Sequence, residues 1–340
     1  MNGSRKTPTR LRRAAIGIAT LGAASLLLAP TAASAAPAGT PNTAVAKLFS
    51  GAAQVELHEH FAEEAVLAGM VGSNAANLQD AIAGETYEHT TMYPEFAAQA
   101  AADGCTAAAT LFTEIAADEG MHADAFALAL QALTDPAVIV PEPQTDEPVE
   151  ITPSTPACTG QTQDNLLTAM HGEAFAYAKY SAYALEATRT NQTALAELFS
   201  GIAEDELHEH FAAEAVLAGM VGSNAANLQD AIAGESYELT TMYPEFAAQA
   251  AVDGCTAAAS LFTEIAADEG VHAASYTVAL QALTYPVVRV PKPQPVDAVE
   301  ITASTPACTG RTQDNLLTAM EGEAFAYAKY SAYALEATRH

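Results

Sequence analysis

Apolar residues recur along most of this chain with the spacing of an α-helix. From residue 165 onward, four segments keep apolar positions three and four residues apart, which predicts four helices. These segments are 165–187, 194–218, 227–252 and 256–283. Breakers such as Thr190-Asn191-Gln192 and Asp253-Gly254-Cys255 separate them. The pattern therefore predicts an all-α protein.

The chain consists of two copies of one unit. Residues 41–190 and 191–340 align at a constant offset of 150, and 120 of the 150 positions are identical. The copy boundary does not match the helical pattern. Residues 45–134 supply only three helices, which repeat the second, third and fourth of the later unit, and residues 315–339 repeat its first. The sequence predicts two tandem four-helix bundles in a permuted frame.

Two groupings of the helices are open. In the first grouping, the C-terminal helix packs onto the three N-terminal helices. In the second grouping, each 150-residue copy folds by itself as a circular permutant. The turn at 188–193 has the length of a helical hairpin, which favours the first grouping. That grouping gives one bundle from 41–134 plus 308–340, a second from 158–284, and Pro-rich linkers at 135–157 and 285–307.

The four cysteines, Cys105, Cys158, Cys255 and Cys308, form no C-x-x-C motif, so they indicate two disulfides rather than a metal site. In a bundle with one long crossover, the start of the first helix and the turn between the third and fourth lie at the same end. The first grouping then pairs Cys158 with Cys255 and Cys105 with Cys308. The second pairs Cys105 with Cys158 and Cys255 with Cys308.

Residues 1–35 have the pattern of an export signal peptide. Basic residues precede an apolar run at 14–29, and Ala33-Ser34-Ala35 provides a cleavage motif. The run is too short for a stable membrane anchor, so we expect an exported protein that is not held in a membrane. The net charge of −28 argues against nucleic acid and anionic membranes as partners.

Acidic residues recur among small apolar residues on every predicted helix. Pairs such as Glu269 and His272 are three residues apart, so they share one helix face. One such pair is more often a solvated face than a ligand set. Four helices in order, however, would converge six carboxylates and one imidazole, which cannot be buried as unpaired anions. Glutamate-rich ligands suit iron or manganese better than tetrahedral zinc.

Three segments carry a resemblance to a known family. The segments NLLTAMHGEAFAYAKY (165–180), NLQDAIAGESYELTTMYPEF (227–246) and LFTEIAADEGVHAASY (261–276) resemble the rubrerythrin branch of the ferritin-like superfamily. The resemblance covers nearly all of the helical sequence in both copies and none of the Pro-rich linkers. It implies ferritin-like four-helix bundles with two iron ions per bundle, manganese being the alternative metal.

The resemblance also implies the residues of each site. In the later unit the implied metal ligands are Glu173, Glu206, Glu209, Glu235, Glu238, Glu269 and His272. In the first unit they are Glu56, Glu59, Glu85, Glu88, Glu119 and His122, with Glu323 from the C-terminal helix. The tyrosines placed beside the metals, as candidate catalytic residues, are Tyr180, Tyr243, Tyr93 and Tyr330.

Three features depart from the family pattern. Glu209 stands where the second helix should present a histidine, although a one-residue bulge would present His210 instead. The link between helices two and three is shorter than usual. The rubredoxin-like module, with its paired C-x-x-C motifs, is absent from this sequence. These departures leave the redox mechanism and the electron donor open.

For a protein that the signal pattern predicts to be exported, the resemblance implies reduction of hydrogen peroxide or oxidation of ferrous iron, with an external electron donor. The alternative is a binding protein that sequesters iron or manganese without turnover. The resemblance also implies that bundles pair, either in a homodimer or within one chain that imitates a helix-exchanged pair. A disulfide between Cys105 and Cys158 is expected to argue against that imitation.

Overall fold

The computed structural model describes residues 41–143 and 147–339. Within these ranges the chain forms eight long helices and no strand, which confirms the all-α prediction. None of these helices is long and apolar enough to cross a bilayer. The export signal predicted at 1–35 lies outside the described residues. The four uninterrupted helices are α3 (Thr106–Ala132), α4 (Gln161–Arg189), α7 (Thr256–Thr284) and α8 (Arg311–Thr338).

Each of the other four helices contains one short π-helical turn. Helix α1 consists of Pro41–Val55, the π-turn Glu56–His60 and Phe61–Ala68, and α2 of Asn74–Tyr87, the π-turn Glu88–Met92 and Tyr93–Asp103. Helix α5 consists of Thr193–Asp205, the π-turn Glu206–Phe211 and Ala212–Ala218, and α6 of Asn224–Tyr237, the π-turn Glu238–Met242 and Tyr243–Asp253. Such turns insert one residue into a helix and are frequent at functional sites.

Local sequence explains where α1 and α5 end and where α2 and α6 begin. Gly69 and Gly219 end α1 and α5 in the left-handed region, with φ of 65° and 66°. The hydroxyls of Ser73 and Ser223 then accept hydrogen bonds from backbone N–H groups in the first turns of α2 and α6. The links between these helices, 69–73 and 219–223, are therefore only five residues long.

The helices form two bundles that mix the two copies. Bundle I contains α2, α3, α4 and α5, and bundle II contains α6, α7, α8 and α1. Residues 158–284 therefore do not form a bundle of their own, and neither do 41–134 with 308–340. Both groupings expected from the sequence are wrong.

The short links explain this exchange. Either expected grouping needs the chain to return along a whole helix between α1 and α2 or between α5 and α6, because the helices flanking a long crossover run parallel. A 26-residue helix such as 193–218 is about 39 Å long at 1.5 Å per residue. Five extended residues reach only about 20 Å. The chain therefore passes into the other bundle at each short link.

The Pro-rich linkers supply the long crossovers instead. In bundle I, residues 147–160 run along α5, where the backbone N–H of Val149 donates to the carbonyl of His208 at 2.8 Å. The linker of bundle II runs along α1 in the same way, and the N–H of Val299 donates to the carbonyl of His58 at 2.8 Å. Each linker thus carries the chain from one end of its bundle to the other.

The disulfides join Cys105 to Cys158 and Cys255 to Cys308. The favoured pairing was therefore wrong. The start of the first helix does meet the turn between the third and fourth, but that turn precedes the helix in the same 150-residue copy. The Cys105–Cys158 bond thus accompanies helix exchange, and the expectation that it would argue against exchange was also wrong. Two disulfides are typical of proteins in an oxidising, extracytoplasmic compartment.

Helices α4 and α8 join the two bundles. At this contact the rings of Tyr177 and Tyr327 are parallel, with centroids 5.5 Å apart, and their hydroxyls lie 3.2 Å apart. The two tyrosines occupy equivalent positions of the two copies, so each residue meets its own counterpart, as at an interface with two-fold symmetry. One chain therefore has the arrangement of a helix-exchanged pair of bundles.

Candidate metal centres

Each bundle buries one cluster of glutamate and histidine side chains, with contributions from all four helices. Centre I consists of Glu85, Glu119, His122, Glu173, Glu206 and His210. Centre II consists of Glu235, Glu269, His272, Glu323, Glu56 and His60. The predicted ligands Glu173 and Glu206 thus lie with Glu85 and Glu119, and not with Glu235 and Glu269. This is the consequence of helix exchange for the sites.

The residues of centre I form two adjacent groups that share Glu119 and Glu206. Within each group, the candidate ligand atoms lie within 4.8 Å of one another. The first group is completed by Glu85 and His122, and the second by Glu173 and His210. Two neighbouring cation positions that share two carboxylates are the arrangement of a two-metal site.

The shared glutamates each direct one oxygen to each histidine. Glu206 places Oε1 at 3.2 Å from His122 Nδ1 and Oε2 at 2.9 Å from His210 Nδ1. Glu119 places Oε2 at 2.9 Å from His122 Nδ1 and Oε1 at 3.0 Å from His210 Nδ1. Both carboxylates therefore span the two groups, as bridging ligands do.

Centre II has the same internal geometry. Glu56 places its two oxygens at 3.0 Å from His272 Nδ1 and 3.0 Å from His60 Nδ1. The oxygens of Glu269 lie at 3.1 Å and 2.9 Å from the same two atoms. Glu235 completes the group of His272, and Glu323 completes that of His60. The arrangement is thus repeated although each centre draws on both copies.

The π-turns of α1 and α5 select the histidine that reaches each centre. His210 lies four residues after Glu206 and His60 lies four residues after Glu56, and both histidines are buried. The inserted residue widens the helical turn, so side chains four apart face the same cluster. The carbonyls of His208 and His58, which belong to these same turns, accept hydrogen bonds from backbone N–H groups of the two linkers. The one-residue bulge considered from the sequence is therefore present.

Glu209 and Glu59, by contrast, lie outside the groups of four residues that form the two centres. Glu209 lies outside both groups of four and is buried near Asp118 and His210. The carboxylate of Glu59 accepts a hydrogen bond from the backbone N–H of Asp297 in the second linker, at 3.1 Å. The physical reason is the same π-turn, which rotates the following histidine into the position that a regular helix would give to the glutamate.

Two further predicted ligands, Glu88 and Glu238, lie beside the centres and outside the groups of four. Burial raises the pKa of Glu88 to about 8, with added repulsion from Glu119 and Glu206. Burial raises the pKa of Glu238 to about 8 in the same way. Each centre therefore has a neighbouring carboxyl that holds a proton near neutral pH.

All four predicted tyrosines donate hydrogen bonds to glutamates of the centres. In centre I, Tyr93 donates to Glu173 and Tyr180 donates to Glu85. In centre II, Tyr243 donates to Glu323 and Tyr330 donates to Glu235. The tyrosines are fully buried, so each hydroxyl fixes the orientation of one carboxylate.

Sequence reasoning missed a buried carboxyl next to each centre. The hydroxyl of Tyr93 lies 3.0 Å from Glu214 Oε1, and that of Tyr243 lies 3.1 Å from Glu64 Oε1. Burial raises the pKa of Glu214 well above its usual range. The spacing of Glu206, His210 and Glu214, four residues each time, was a signal that all three share one helix face.

Aspartates outside the centres face three of the four histidines. They too were missed, because they come from helix positions that the family pattern does not mark. The Nε2–Oδ2 distances are 3.8 Å for His122 and Asp205, 3.9 Å for His210 and Asp118, and 3.8 Å for His60 and Asp268. Metal-binding histidines commonly direct their outer ring nitrogen to such a carboxylate.

The electrostatics of centre I separate bridging from outer carboxyls. Burial raises the pKa of Glu119, but His210 and the hydrogen bonds of both histidines outweigh it and lower that pKa below its usual range. Burial raises the pKa of Glu173, and repulsion from Glu119 and Glu206 raises it further. Burial lowers the pKa of His210, but Glu119 raises it well above its usual value. Protons on the histidines and outer carboxyls thus offset the bridging anions.

The donor atoms of the centres fit metal ions. Within residues 41–143 and 147–339, neither carboxylate oxygen of Glu56 has a hydrogen-bond partner, although both are buried and His60 Nδ1 lies 3.0 Å from one of them. Glu85 Oε2, Glu119 Oε1 and Glu206 Oε1 are likewise buried without one. Leaving such acceptors unpaired is costly, whereas a cation between them would satisfy several at once. Carboxylate and imidazole donors suit iron or manganese.

Comparison with known proteins gives the same family for both copies. The sequence profile of the family described as Rubrerythrin matches residues 32–130 and 164–280. Rubrerythrin of Porphyromonas gingivalis is 35% identical over 133 residues, which cover 35% of this chain and 66% of the relative. Nigerythrin of Nitratidesulfovibrio vulgaris is 34% identical over 140 residues, covering 37% and 69%. Each match thus spans about two thirds of the relative. No solved structure matches.

Proposed function

Because the chain belongs to the rubrerythrin family, we propose that it is a di-iron carboxylate protein that holds two iron ions in each centre and reduces hydrogen peroxide. One observation above all supports the proposal. In both centres, two glutamates each present one oxygen to each of two histidines, at 2.9 to 3.2 Å. This is the donor arrangement that two adjacent cations require. Manganese is the alternative metal.

In this proposal the residues of each centre have separate roles. Bound iron would supply the electrons that cleave the oxygen–oxygen bond of peroxide. Glu119 and Glu206 would bridge the two ions, and Glu85 with His122 and Glu173 with His210 would complete the two ligand sets. Tyr93 and Tyr180 would hold the outer carboxylates in orientation through their hydroxyl groups. Burial of these side chains excludes bulk water and strengthens their electrostatic interactions.

Reducing peroxide to two water molecules also consumes two protons. Glu88 and Glu238, whose pKa values are raised to about 8, would hold protons beside the two centres at neutral pH. The carboxyls of Glu214 and Glu64 would hold further protons next to Tyr93 and Tyr243. The chain would therefore carry its own proton supply beside both centres.

The electrons must come from a donor outside the two bundles. All four cysteines of this chain are joined in disulfides, so none of them can ligate a rubredoxin-type iron. This observation also favours a second candidate function, in which the centres sequester iron or manganese without turnover. Oxidation of ferrous iron is the alternative reaction of the same centres.

We also propose that the protein acts after export. The two disulfides and the signal pattern of residues 1–35 support this location. A homodimer is not needed to pair two bundles, because one chain provides both. Nucleic acid remains an unexpected partner at a net charge of −28.

The proposal is tested by iron content and peroxide turnover. The protein is loaded with ferrous iron without oxygen, freed of unbound metal and mixed with hydrogen peroxide in the presence of a chemical reductant. We expect about four irons per chain and catalytic loss of peroxide. Stoichiometric iron without catalytic turnover would favour sequestration, and fewer than one metal per chain with either iron or manganese would contradict the metal assignment.

A matched pair of variants separates bridging from neighbouring glutamates. Glu56→Gln removes a bridging carboxylate of centre II, whereas Glu59→Gln changes a residue of the same π-turn that faces the linker. We expect Glu56→Gln to lose about two irons and Glu59→Gln to keep all four. Loss of iron in Glu59→Gln with retention in Glu56→Gln would contradict the site described above.

A further inference from the structure

The outer nitrogen of His272 has surroundings unlike those of the other three histidines. His122, His210 and His60 each have an aspartate carboxylate 3.8 to 3.9 Å from Nε2. The residue equivalent to Asp205, which faces His122, is Val55 in centre II. Valine cannot accept a hydrogen bond. His272 Nε2 is buried and has no hydrogen-bond partner among the residues that the structure describes.

A small cavity lies against this histidine. It has a volume of about 10 Å³ and is lined by Leu48, Ala52, His272, Ser275, Tyr276, Pro293 and Gln294. The second linker forms its outer wall, and it can approach α1 closely because residue 51 is glycine. A Cβ at Gly51 would lie 2.1 Å from Pro293 Cβ. The fold thus encloses a space of the size that one water molecule needs.

Three residues that line the cavity carry buried polar atoms with no hydrogen-bond partner in the described part of the chain. These atoms are His272 Nε2, Tyr276 Oη and Gln294 Oε1. Tyr276 is fully buried, so bulk water cannot satisfy its hydroxyl. A buried water typically makes about three hydrogen bonds to otherwise unpaired groups. Together these atoms provide two donors and one acceptor for a single water.

Bundle I lacks the two side-chain hydroxyls that line this site in bundle II. The residues equivalent to Ser275 and Tyr276 are Ala125 and Phe126, neither of which has a side-chain hydroxyl. The ring of Phe126 packs against Phe199 and Tyr180. His122 instead faces Asp205. Bundle I thus has an aspartate and two residues without hydroxyls at these positions. Bundle II has a valine and two residues with hydroxyls.

We propose that centre II contains a built-in water site, in which one water held by His272 Nε2, Tyr276 Oη and Gln294 Oε1 takes the place of the aspartate that faces His122 in centre I. The imidazole N–H and the phenol O–H donate to the water oxygen, and the water donates to the amide oxygen. The two centres are thereby unequal. His122 of centre I is oriented by the carboxylate of Asp205, and His272 of centre II by an exchangeable water molecule.

The test is a crystal structure at a resolution that shows ordered water, for the native protein and for Tyr276→Phe. Phenylalanine already occupies the equivalent position of bundle I, so this variant should fold. We expect one water within hydrogen-bonding distance of all three atoms in the native protein, none at the corresponding place beside His122, and loss of the water in Tyr276→Phe. A dry cavity, or an identical water beside both histidines, would overturn the proposal.

Thermal unfolding of the metal-free protein provides a second measurement. If water satisfies the Tyr276 hydroxyl, Tyr276→Phe loses that hydrogen bond and its Tm falls. If the cavity is dry, the substitution removes an unpaired buried hydroxyl and its Tm rises, which would contradict the proposal. Neither readout depends on bound iron, so failure of the water site is distinguishable from failure of the proposed function.

Discussion

Centres I and II have identical cluster residues and differ in the residues that surround the clusters. The two copies differ at 30 of 150 positions, yet every glutamate and histidine of the two clusters has an identical counterpart. The differences reach the centres at Asp205 and Val55, and at Phe126 and Tyr276. The comparison teaches that the bridging geometry depends on the cluster residues and the π-turn, whereas the support of the histidines can be built in two ways.

Removing one bridging glutamate from either centre should change the iron content of the protein most strongly. Glu206→Gln should empty centre I and Glu56→Gln should empty centre II. Each substitution removes one of the two carboxylates that both metal ions of a centre would share. We expect each variant to keep about two of four irons, measured by mass spectrometry, and the double variant to keep almost none. Loss of all four irons from either single variant would show that the centres are not independent.

The disulfides allow a comparison of bundle stability. Each bond closes 53 residues, for which loop entropy predicts a stabilisation of about 4 kcal/mol. The pairs Cys105→Ser/Cys158→Ser and Cys255→Ser/Cys308→Ser should therefore lower the free energy of unfolding by similar amounts, measured by urea unfolding. Non-reducing peptide mapping serves as the control for pairing. Linkage of Cys158 to Cys255 would contradict the exchanged bundles.

Metal affinity should rise with pH in both centres. Metal ligands must be deprotonated, and the pKa values of His122 and His272 are raised well above their usual range by facing carboxylates, which outweigh the effect of burial. Iron must therefore displace protons, and lowering the pH strengthens that competition. We expect at least a tenfold gain in affinity per pH unit between about pH 5 and 7, measured by competition with a chelator. An affinity independent of pH would show that the metal-free centres hold no such protons.

The smallest expected effect concerns the contact between the two bundles. Tyr177→Phe and Tyr327→Phe each remove one hydroxyl from the same 3.2 Å pair, so both should cost about 1 kcal/mol of unfolding free energy. Chemical denaturation compares the two directly. A clear difference between the variants would show that the symmetry of this contact does not extend to its energetics.

The helices and most cluster residues could be predicted from the sequence, because apolar periodicity and acidic spacing are local signals. The pairing of helices could not be obtained from those signals. Its cause was nevertheless visible in the five-residue links at 69–73 and 219–223, which are too short to return along a helix. The length of the turn at 188–193 was a weaker constraint, because that hairpin occurs in the observed grouping as well as in the favoured one.

The choice between Glu209 and His210 depends on backbone geometry that sequence spacing does not fix. A regular helix and a π-turn place different residues of the same segment toward the bundle axis. The outer partners were also beyond sequence reasoning. Asp205 reaches His122 only because α5 packs against helices from the other copy. Tyr276 becomes informative only once its buried hydroxyl and the cavity beside it are known.

We propose that each exchanged bundle holds two metal ions that share two glutamates. The most direct test is a crystal structure of the iron-loaded protein with anomalous diffraction recorded at the iron absorption edge. We expect two pairs of iron peaks, one between Glu119 and Glu206 and the other between Glu56 and Glu269. Single peaks, peaks ligated by Glu209 or Glu59 in place of His210 or His60, or the absence of iron from both clusters would contradict it.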